Sequence, residues 1–455
     1  MLVAWRCAFL LVLKTLVVGV AHTHKHSPRV VRTKYGLLRL PRVPYATPPT
    51  GSLRYMPPVT PSMWEDTRLA DAYSPVCPQR VPEIGNRTEA LMEHPRGRLV
   101  YLEKLLPLLT NQSEDCLYLN IYMPLLEKKI RDSFRELPLM YIHGESYEWN
   151  SGNPYDGSSL ASYGNLIVVT LNFRLGILGN KGSAQGNFGL LDLIAGLHWL
   201  RENLPAFGGD PNRIVLLGHD TGAFQRLSLG FHSELYLLHR VILLSGSGLS
   251  PWALQRDPLA IKRAVAVHTG CHGDLAEEDL APCLRSKSLA ALLDVRLNQP
   301  RFLPGFAPFV DGAVPGNELG DFPERDLLFG LTSTESYLDL NAQDLEFGFN
   351  ETRRDRILRT FVRNSYYFHL NEIFSTLKNE YTNWECAVQG PLSYRDSTLE
   401  VLSDGHTAAP LITVGYLHAA RKGRTYFLHF QHQSGERDFP QVTRPLLLIY
   451  QRADY

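Results

Sequence analysis

Short apolar runs alternate with longer amphipathic segments through the middle and end of the chain. Residues 139–142 and 166–172 are almost continuously apolar or β-branched, which is typical of strands buried on both faces. Residues 189–203 instead place leucines three or four positions apart, and this spacing predicts a helix. Further strands are predicted at residues 214–217, 241–245 and 426–430.

Strands that are separated by helices predict an α/β fold, with a mostly parallel, twisted sheet covered by helices on both faces. The sequence contains no internal repeat and no linker of low complexity. We therefore predict one large domain over residues 22–440, preceded by a targeting segment and followed by a divergent tail at 441–455.

The first 21 residues have the pattern of a secretory signal peptide. An apolar stretch over residues 7–20 is interrupted only by Lys14, and Gly19 and Ala21 are the small residues that precede a cleavage site. Asn-x-Ser/Thr sequons at Asn86, Asn111 and Asn350 agree with export and predict glycosylation. No other apolar run approaches the roughly 20 residues of a membrane-spanning helix, so we expect no membrane span in this chain.

Composition excludes several classes of protein. Of the 455 residues, 44% are hydrophobic, which is too many for a disordered chain. The 46 basic and 46 acidic residues cancel, so charge gives no reason to expect nucleic acid as a partner. The histidines of residues 22–26 have no neighbours that would fix ligand geometry, and we predict neither a metal site nor a cofactor.

Cysteine usage also fits an oxidising compartment. Removal of the signal peptide removes Cys7 and leaves five cysteines. Their order along the chain suggests two local disulfides, Cys77–Cys116 and Cys271–Cys283. Cys386 is left over and pairs either with another chain or with sequence absent here.

The strongest chemical motif is the turn at residues 217–223 (LGHDTGA), between a predicted strand and a predicted helix. Gly218 and Gly222 lie two positions on either side of Asp220, so a tight corner can lift the Asp220 side chain above the sheet. This is the spacing of a nucleophile elbow, with aspartate in the position of serine. Aspartate cannot act as the serine of an acyl-transfer triad.

Longer motifs resemble the type-B carboxylesterase and cholinesterase family, and they occur in the order of that family. They lie at residues 43–51 (VPYATPPTG), 114–122 (EDCLYLNIY), 172–179 (NFRLGILG), 186–192 (GNFGLLD) and 207–214 (FGGDPNRI). The resemblance extends from about residue 30 to about residue 433. It implies the α/β-hydrolase fold.

Two further stretches are similar to the neuroligins, the non-catalytic adhesion members of that family. They lie at residues 156–165 (DGSSLASYGN) and 244–253 (LSGSGLSPWA), and they resemble the invertebrate type. The resemblance implies a catalytically dead, cholinesterase-like domain that is displayed at the cell surface or synapse, or secreted as this chain is written.

The catalytic positions that the resemblance assigns are altered. The oxyanion loop of active relatives has two or three glycines after histidine, whereas residues 143–146 read HGES, with Gly144 followed by Glu145. A carboxylate at Glu145 has the wrong sign to stabilise an oxyanion. Glu335 matches the acidic position of the triad and is expected to be structural. The catalytic histidine is expected near residues 444–450, but no histidine follows His432.

The chain also departs from the neuroligin pattern. Between Leu40 and Pro41 the family usually has one to two dozen more residues, and from residue 440 the resemblance ends. A shortened domain of this kind would lack the last strand and the C-terminal helices, which would leave apolar faces uncovered. Family dimers use a C-terminal helix, so the homodimer that the resemblance implies depends on that helix being present.

The resemblance also implies a partner surface. Neuroligins bind neurexin through Ca²⁺ that is held mostly by neurexin. The corresponding loop here contains the contact residues that we predict: Ser333, Thr334, Glu335, Ser336 and Tyr337.

Two classes of function therefore compete. The first is a neuroligin-type adhesion protein without catalysis. The second is a hydrolase, because an aspartate elbow also occurs in epoxide hydrolases, where the carboxylate forms an ester that a histidine-activated water cleaves. A residual esterase and a truncated product without a function are the remaining alternatives.

Overall fold

The predicted strands lie side by side in one sheet. The computed structural model describes residues 17–20, 28–32, 37–62, 68–124, 136–179, 186–223, 238–271, 279–310, 325–385 and 388–432. Its strands are β1 (Val17–Val20), β2 (Pro28–Arg32), β3 (Leu37–Pro44), β4 (Arg68–Leu69), β5 (Tyr118–Pro124), β6 (Leu137–Ile142), β7 (Leu166–Leu171), β8 (Val215–His219), β9 (Arg240–Leu244), β10 (Asp326–Thr332) and β11 (Thr425–Phe430).

Helices connect the parallel strands and add a helical region near the end. They are α1 (Arg87–Glu93), α2 (Arg96–Leu105), α3 (Ser158–Gly164), α4 (Gly176–Gly179), α5 (Phe188–Asn203), α6 (Pro258–Thr269), α7 (Ala281–Arg285), α8 (Leu289–Leu293), α9 (Ala342–Phe347), α10 (Glu351–Ser365), α11 (Leu370–Glu380), α12 (Pro391–Ser403) and α13 (Ala409–Ala420). No helix in the described ranges is both long enough and apolar enough to cross a membrane.

The order of strands in the sheet is β1-β2-β3-β5-β7-β6-β8-β9-β10-β11, and β4 pairs with β2. From β7 to β11 all neighbours are parallel, whereas β1 to β7 along this order pair antiparallel. The α/β-hydrolase fold expected from the sequence is confirmed. Because β8, β9 and β10 are parallel neighbours, their carboxyl ends meet at one edge, where the site lies.

The main core lies between the sheet and α5. The leucines whose spacing predicted this helix are all buried: Leu190, Leu193, Leu197 and Leu200. Beside them, Arg174 donates three hydrogen bonds to the Asp192 carboxylate, from its backbone N–H, Nε and Nη2, at 2.7–3.0 Å. A buried ion pair of this kind holds the end of β7 against α5.

A β-bulge in β3 follows Leu40, at the junction where the resemblance implies extra residues. Leu40 pairs with Ile121 and Val43 pairs with Leu119, so two residues of β3 lie opposite one of β5. The Arg42 N–H donates to the Asn120 side chain at 3.3 Å, and Arg42 has a φ of 64°. The shorter sequence therefore continues as one strand through a β-bulge.

The predicted domain boundaries remain predictions. The cleavage site after Ala21, the boundary at 440 and the tail at 441–455 lie outside the described residues. Strand β1 lies inside the predicted signal peptide, and among the described strands it pairs with β2 alone. Cleavage after Ala21 would therefore leave β2 as an edge strand.

Candidate functional site

The nucleophile elbow forms at the carboxyl end of β8. Asp220 has a φ of 53°, and a helical turn begins at Thr221. Both flanking glycines are required by close contacts between backbones. A Cβ atom on Gly218 would lie 2.4 Å from the Gly222 oxygen, and one on Gly222 would lie 2.5 Å from the Ile142 oxygen. The elbow geometry predicted from the glycine spacing is thus present, with Asp220 at its apex.

The loop after β6 lies directly against the Asp220 carboxylate. The Glu145 N–H donates to Asp220 Oδ2 at 2.9 Å. A Cβ atom on Gly144 would lie 2.8 Å from the same oxygen and 2.7 Å from the His219 backbone oxygen. Glycine is therefore needed at position 144, because any side chain would displace the elbow.

Three consecutive residues of this loop are in the left-handed region of backbone conformation. The φ values of Glu145, Ser146 and Tyr147 are 85°, 57° and 62°. Each such non-glycine residue costs about 1 kcal/mol, so surrounding contacts must hold the loop in place. Tyr147 provides one of these contacts, because its buried hydroxyl donates to the Ala253 oxygen at 3.0 Å.

A second contact is the ion pair between Glu145 and Arg98, which comes from α2. Arg98 donates from Nη1 to Oε1 at 3.0 Å and from Nη2 to Oε2 at 2.8 Å. Its guanidinium also lies 5.2 Å from the Tyr101 ring centroid and 5.6 Å from that of Trp149. Bidentate, partly buried pairs are the stronger kind, so Arg98 ties α2 to the loop beside Asp220.

The environment of Asp220 opposes the charge on its carboxylate and so raises the pKa. Burial raises the pKa of this carboxyl above its ordinary value, and repulsion from the Glu145 carboxylate adds to the rise. His219 and the N–H groups of Glu145 and Thr221 act in the opposite direction without cancelling it. Two acidic groups thus lie side by side where an acyl-transfer site needs donors of hydrogen bonds.

Glu335 follows β10 and is directed inward. Its Oε1 accepts hydrogen bonds from the Thr332 N–H at 2.5 Å, the Thr332 hydroxyl at 3.1 Å and the Ser245 hydroxyl at 3.1 Å. Burial raises the pKa of Glu335, and these donors and His219 oppose the rise. The acidic triad position therefore serves as an acceptor that joins the ends of β9 and β10.

The predicted partner-binding residues differ in accessibility. Ser333 is exposed and Thr334 is half-buried, while Glu335 is occupied as described. The Ser336 N–H donates to the Ser403 hydroxyl at 3.1 Å and Ser336 is buried. Tyr337 packs against the helical core formed by α10 to α12. The accessible part of this loop is Ser333 together with Leu338, which is 51% exposed.

Both predicted disulfides are present. Cys77 is bonded to Cys116 across 39 residues, and Cys271 is bonded to Cys283 across 12. The first disulfide closes the loop that carries α1 and α2, and hence Arg98. Cys386 and the region predicted for the catalytic histidine, residues 444–450, lie outside the described residues.

All three predicted glycosylation sites are on the surface. Asn86, Asn111 and Asn350 are exposed. Asn86 and Asn350 also cap the starts of α1 and α10, accepting from the backbone N–H groups of Thr88 and Arg353. The capping atom is the side-chain oxygen, so the amide nitrogen that would carry a glycan stays available.

Sequence reasoning missed two residues of the site. Arg98 had no signal, because its contact with Glu145 joins segments 47 residues apart. His219 was visible beside the elbow, and it influences both carboxyls: it acts to lower the pKa of Asp220 and of Glu335. Within the described ranges, no group of three or more His, Cys, Asp or Glu side chains is arranged to hold a metal ion.

The chain is similar to known proteins over most of its length. The profile of the carboxylesterase family matches residues 41–448. The chain is 37% identical to "Neuroligin-1" of Caenorhabditis elegans over 427 residues, which cover 86% of this chain and 53% of the relative. It is 36% identical to "Neuroligin-2" of Homo sapiens over 431 residues (88% and 51%) and 35% identical to "Neuroligin-3" of Mus musculus over 428 residues (86% and 50%). The chain spans about half the length of the curated relatives it matches.

Proposed function

Because this chain belongs to the carboxylesterase family, we propose that it is a non-catalytic member of that family that binds a partner protein at the cell surface. The similarity to neuroligins supports this proposal. The exposed sequons and the two disulfides agree with a protein made in the secretory pathway.

The observation that carries the proposal is the hydrogen bond from the Glu145 N–H to Asp220 Oδ2. In acyl transfer, donors of the oxyanion loop stabilise the negative oxygen that forms on the substrate. Here the donor is already used by a carboxylate of the protein itself. The Glu145 side chain adds a second negative charge, which opposes the development of an oxyanion nearby.

We propose a neurexin-like protein as the partner, on the basis of the similarity to neuroligins. The contact would centre on the accessible part of the loop after β10, where Ser333 and Leu338 are exposed. As the resemblance implies, any Ca²⁺ at this contact would be held mainly by the partner. A homodimer is a further possibility that the similarity raises.

Binding of a recombinant neurexin ectodomain to the immobilised full chain, with calcium and with a chelator, tests the proposal. We expect binding that the chelator removes, and that Leu338→Arg weakens at least tenfold by placing a charge in a desolvated contact. Leu259→Arg is the matched control, since Leu259 is 49% exposed on α6 and lies outside the loop. Absence of binding by the folded wild-type chain would reject this partner.

The hydrolase alternative has one observation in its favour, which is the strained elbow conformation of Asp220. An aspartate nucleophile would attack an epoxide carbon, and the C–O bond that breaks would leave an alkoxide that takes a proton. We expect no such reaction, because burial and the nearby Glu145 carboxylate raise the pKa of Asp220 and disfavour the ionised form that attacks. Incubation with a styrene-type epoxide, followed by intact-mass measurement, tests this: a covalent adduct on Asp220 would favour the hydrolase.

A further inference from the structure

Helix α10 presents a row of arginines on its outer face. Arg356, Arg359 and Arg363 are all exposed, at intervals of three and four residues. This spacing puts them on one side of the helix, along about 10 Å of its length at 1.5 Å per residue. We call these three residues the arginine row.

The arginine row is not neutralised by its surroundings. Other cations of this region have carboxylate partners: Arg353 pairs with Asp344 at 2.6 Å, and Arg354 and Lys378 both pair with Glu351 and Asp355. In the part of the chain that the structure describes, no carboxylate lies within ion-pair distance of Arg356, Arg359 or Arg363. Arg359 instead stacks on the Phe374 ring at 3.9 Å. The three arginines therefore have no ion-pair partner among the described residues, while the nearby Glu351 and Asp355 are engaged by Arg354 and Lys378.

The surface beside the arginine row is concave. An open concavity of about 650 Å³ is lined by the three arginines together with Glu351, Thr352, Asp355 and Thr360. The two carboxylates in this lining are the ones already paired with Arg354 and Lys378. Exposed aromatic residues follow at once in the sequence, since Tyr367 is 69% and Phe368 is 78% exposed. Arg256 lies over the Tyr367 ring, 5.0 Å from its centroid. Arginine and aromatic residues are both enriched on protein-binding surfaces.

We propose that this face of α10 binds an acidic helical segment of a partner protein. Guanidinium groups match carboxylates in bidentate geometry, and a helix with glutamates at i, i+3 and i+7 carries them at the same spacing as the arginine row. The surface is separate from the loop after β10, and the inference does not depend on the neurexin-like partner proposed above.

Two synthetic helical peptides of identical composition test the proposal on the full chain. One carries glutamates at i, i+3 and i+7 on one face, and the other distributes the same glutamates around the helix. We expect tighter binding of the first peptide, and a loss of about tenfold in the variant Arg356→Gln/Arg363→Gln because two charge-assisted contacts disappear. Arg359 is left intact because of its packing on Phe374.

The matched control is Arg213→Gln/Arg296→Gln, which removes two exposed arginines elsewhere and should bind the first peptide as the wild type does. Equal affinity for both peptides, or no difference between the two double variants, would overturn the proposal. A heparin-derived oligosaccharide serves as a third probe. If it binds through the arginine row while the first peptide does not, the occupant is a sulfated glycan and the proposed acidic helix is rejected.

Discussion

Asp220 combines two features that are costly for a single residue, a left-handed backbone and a buried acidic group beside another carboxylate. Neither feature helps a protein that only needs a stable fold. The backbone conformation follows from the elbow, which Gly218 and Gly222 make possible. The acidic group is accommodated because the Glu145 N–H and the neighbouring Thr221 N–H donate toward it.

The variant Asp220→Asn tests this balance. Because the pKa of Asp220 is raised in the folded state, the folded protein holds this proton more tightly than the unfolded chain does. The charge on Asp220 therefore costs stability as the pH rises above the ordinary aspartate value near 3.9. Asparagine keeps an oxygen that accepts from the Glu145 N–H but carries no charge.

We expect urea denaturation to show Asp220→Asn as more stable than the wild type at pH 7, with the difference disappearing near pH 3.5. A variant that is less stable than the wild type at pH 7 would mean that the carboxylate charge itself holds the loop, contrary to this account.

His143 provides a second test at a single residue. Its ring is buried and stacked on Phe173, with centroids 4.5 Å apart, and burial lowers its pKa to about 4 from an ordinary value of 6.5. The unfolded chain therefore takes up a proton on His143 below pH 6.5 while the folded protein does not. The unfolding free energy therefore decreases as the pH is lowered from 6.5, by up to about 3 kcal/mol at pH 4.

The variant His143→Gln should lose this part of the acid sensitivity, measured as the change in unfolding free energy between pH 7 and pH 4.5. The exposed His268 is the control, because His268→Gln should leave the slope unchanged. An unchanged slope in His143→Gln would show that other groups cause the acid sensitivity.

For helices and strands, the pattern of apolar residues in the sequence locates the segments that are buried within the sheet or packed on its faces. The strands predicted at 139–142, 166–172, 214–217, 241–245 and 426–430 and the helix at 189–203 all occur, with ends within two residues. Strand β10 was not predicted, and neither were β3 and β5. In β3, Pro41 and the bulge interrupt the apolar pattern, so its pairing with β5 decides the conformation.

The site was only partly predictable from the sequence, because several of its contacts also join distant segments. The elbow is local, so the two glycines reveal it from the sequence. Its contacts are not local: Arg98 and Glu145 are 47 residues apart in the sequence, and Arg98 lies in the segment that the Cys77–Cys116 disulfide closes. Spacing along a chain carries no information about such a pair.

The contact between α2 and the loop after β6 can be tested by removing Arg98. The Arg98 and Glu145 side chains are only 15% and 24% exposed, so Arg98→Ala leaves a partly desolvated carboxylate without a partner. We expect a loss of about 2 kcal/mol in unfolding free energy. Arg87→Ala removes a matched arginine from the Arg87–Glu103 pair, which is 60% and 38% exposed, and should cost under about 1 kcal/mol.

The comparison of these two arginine variants by chemical denaturation is decisive for the role of the contact. Equal losses in Arg98→Ala and Arg87→Ala would contradict a specific tie between α2 and the loop.

At the scale of the whole molecule, the acidic groups beside the elbow and the exposed residues of the loop after β10 lie at the same edge of the sheet. The elbow, the loop after β6 and Glu335 meet at the carboxyl ends of β6, β8 and β10, where their acidic groups are occupied by contacts within the protein. The end strand of the described sheet, β11, has the exposed side chains Tyr426, Phe427 and Leu428. It pairs with β10, so this apolar edge adjoins the strand that leads to Glu335.

We propose that the Asp220 carboxylate accepts from N–H donors that an acyl-transfer site would direct at an oxyanion, and that this chain is non-catalytic for that reason. Hydrolysis of p-nitrophenyl acetate by the purified full chain tests it most directly, with Asp220→Asn measured alongside and an active carboxylesterase as the positive control. We predict no turnover above that of buffer for either protein. Turnover by the wild type that Asp220→Asn abolishes would contradict the account, because Asp220 would then take part in catalysis.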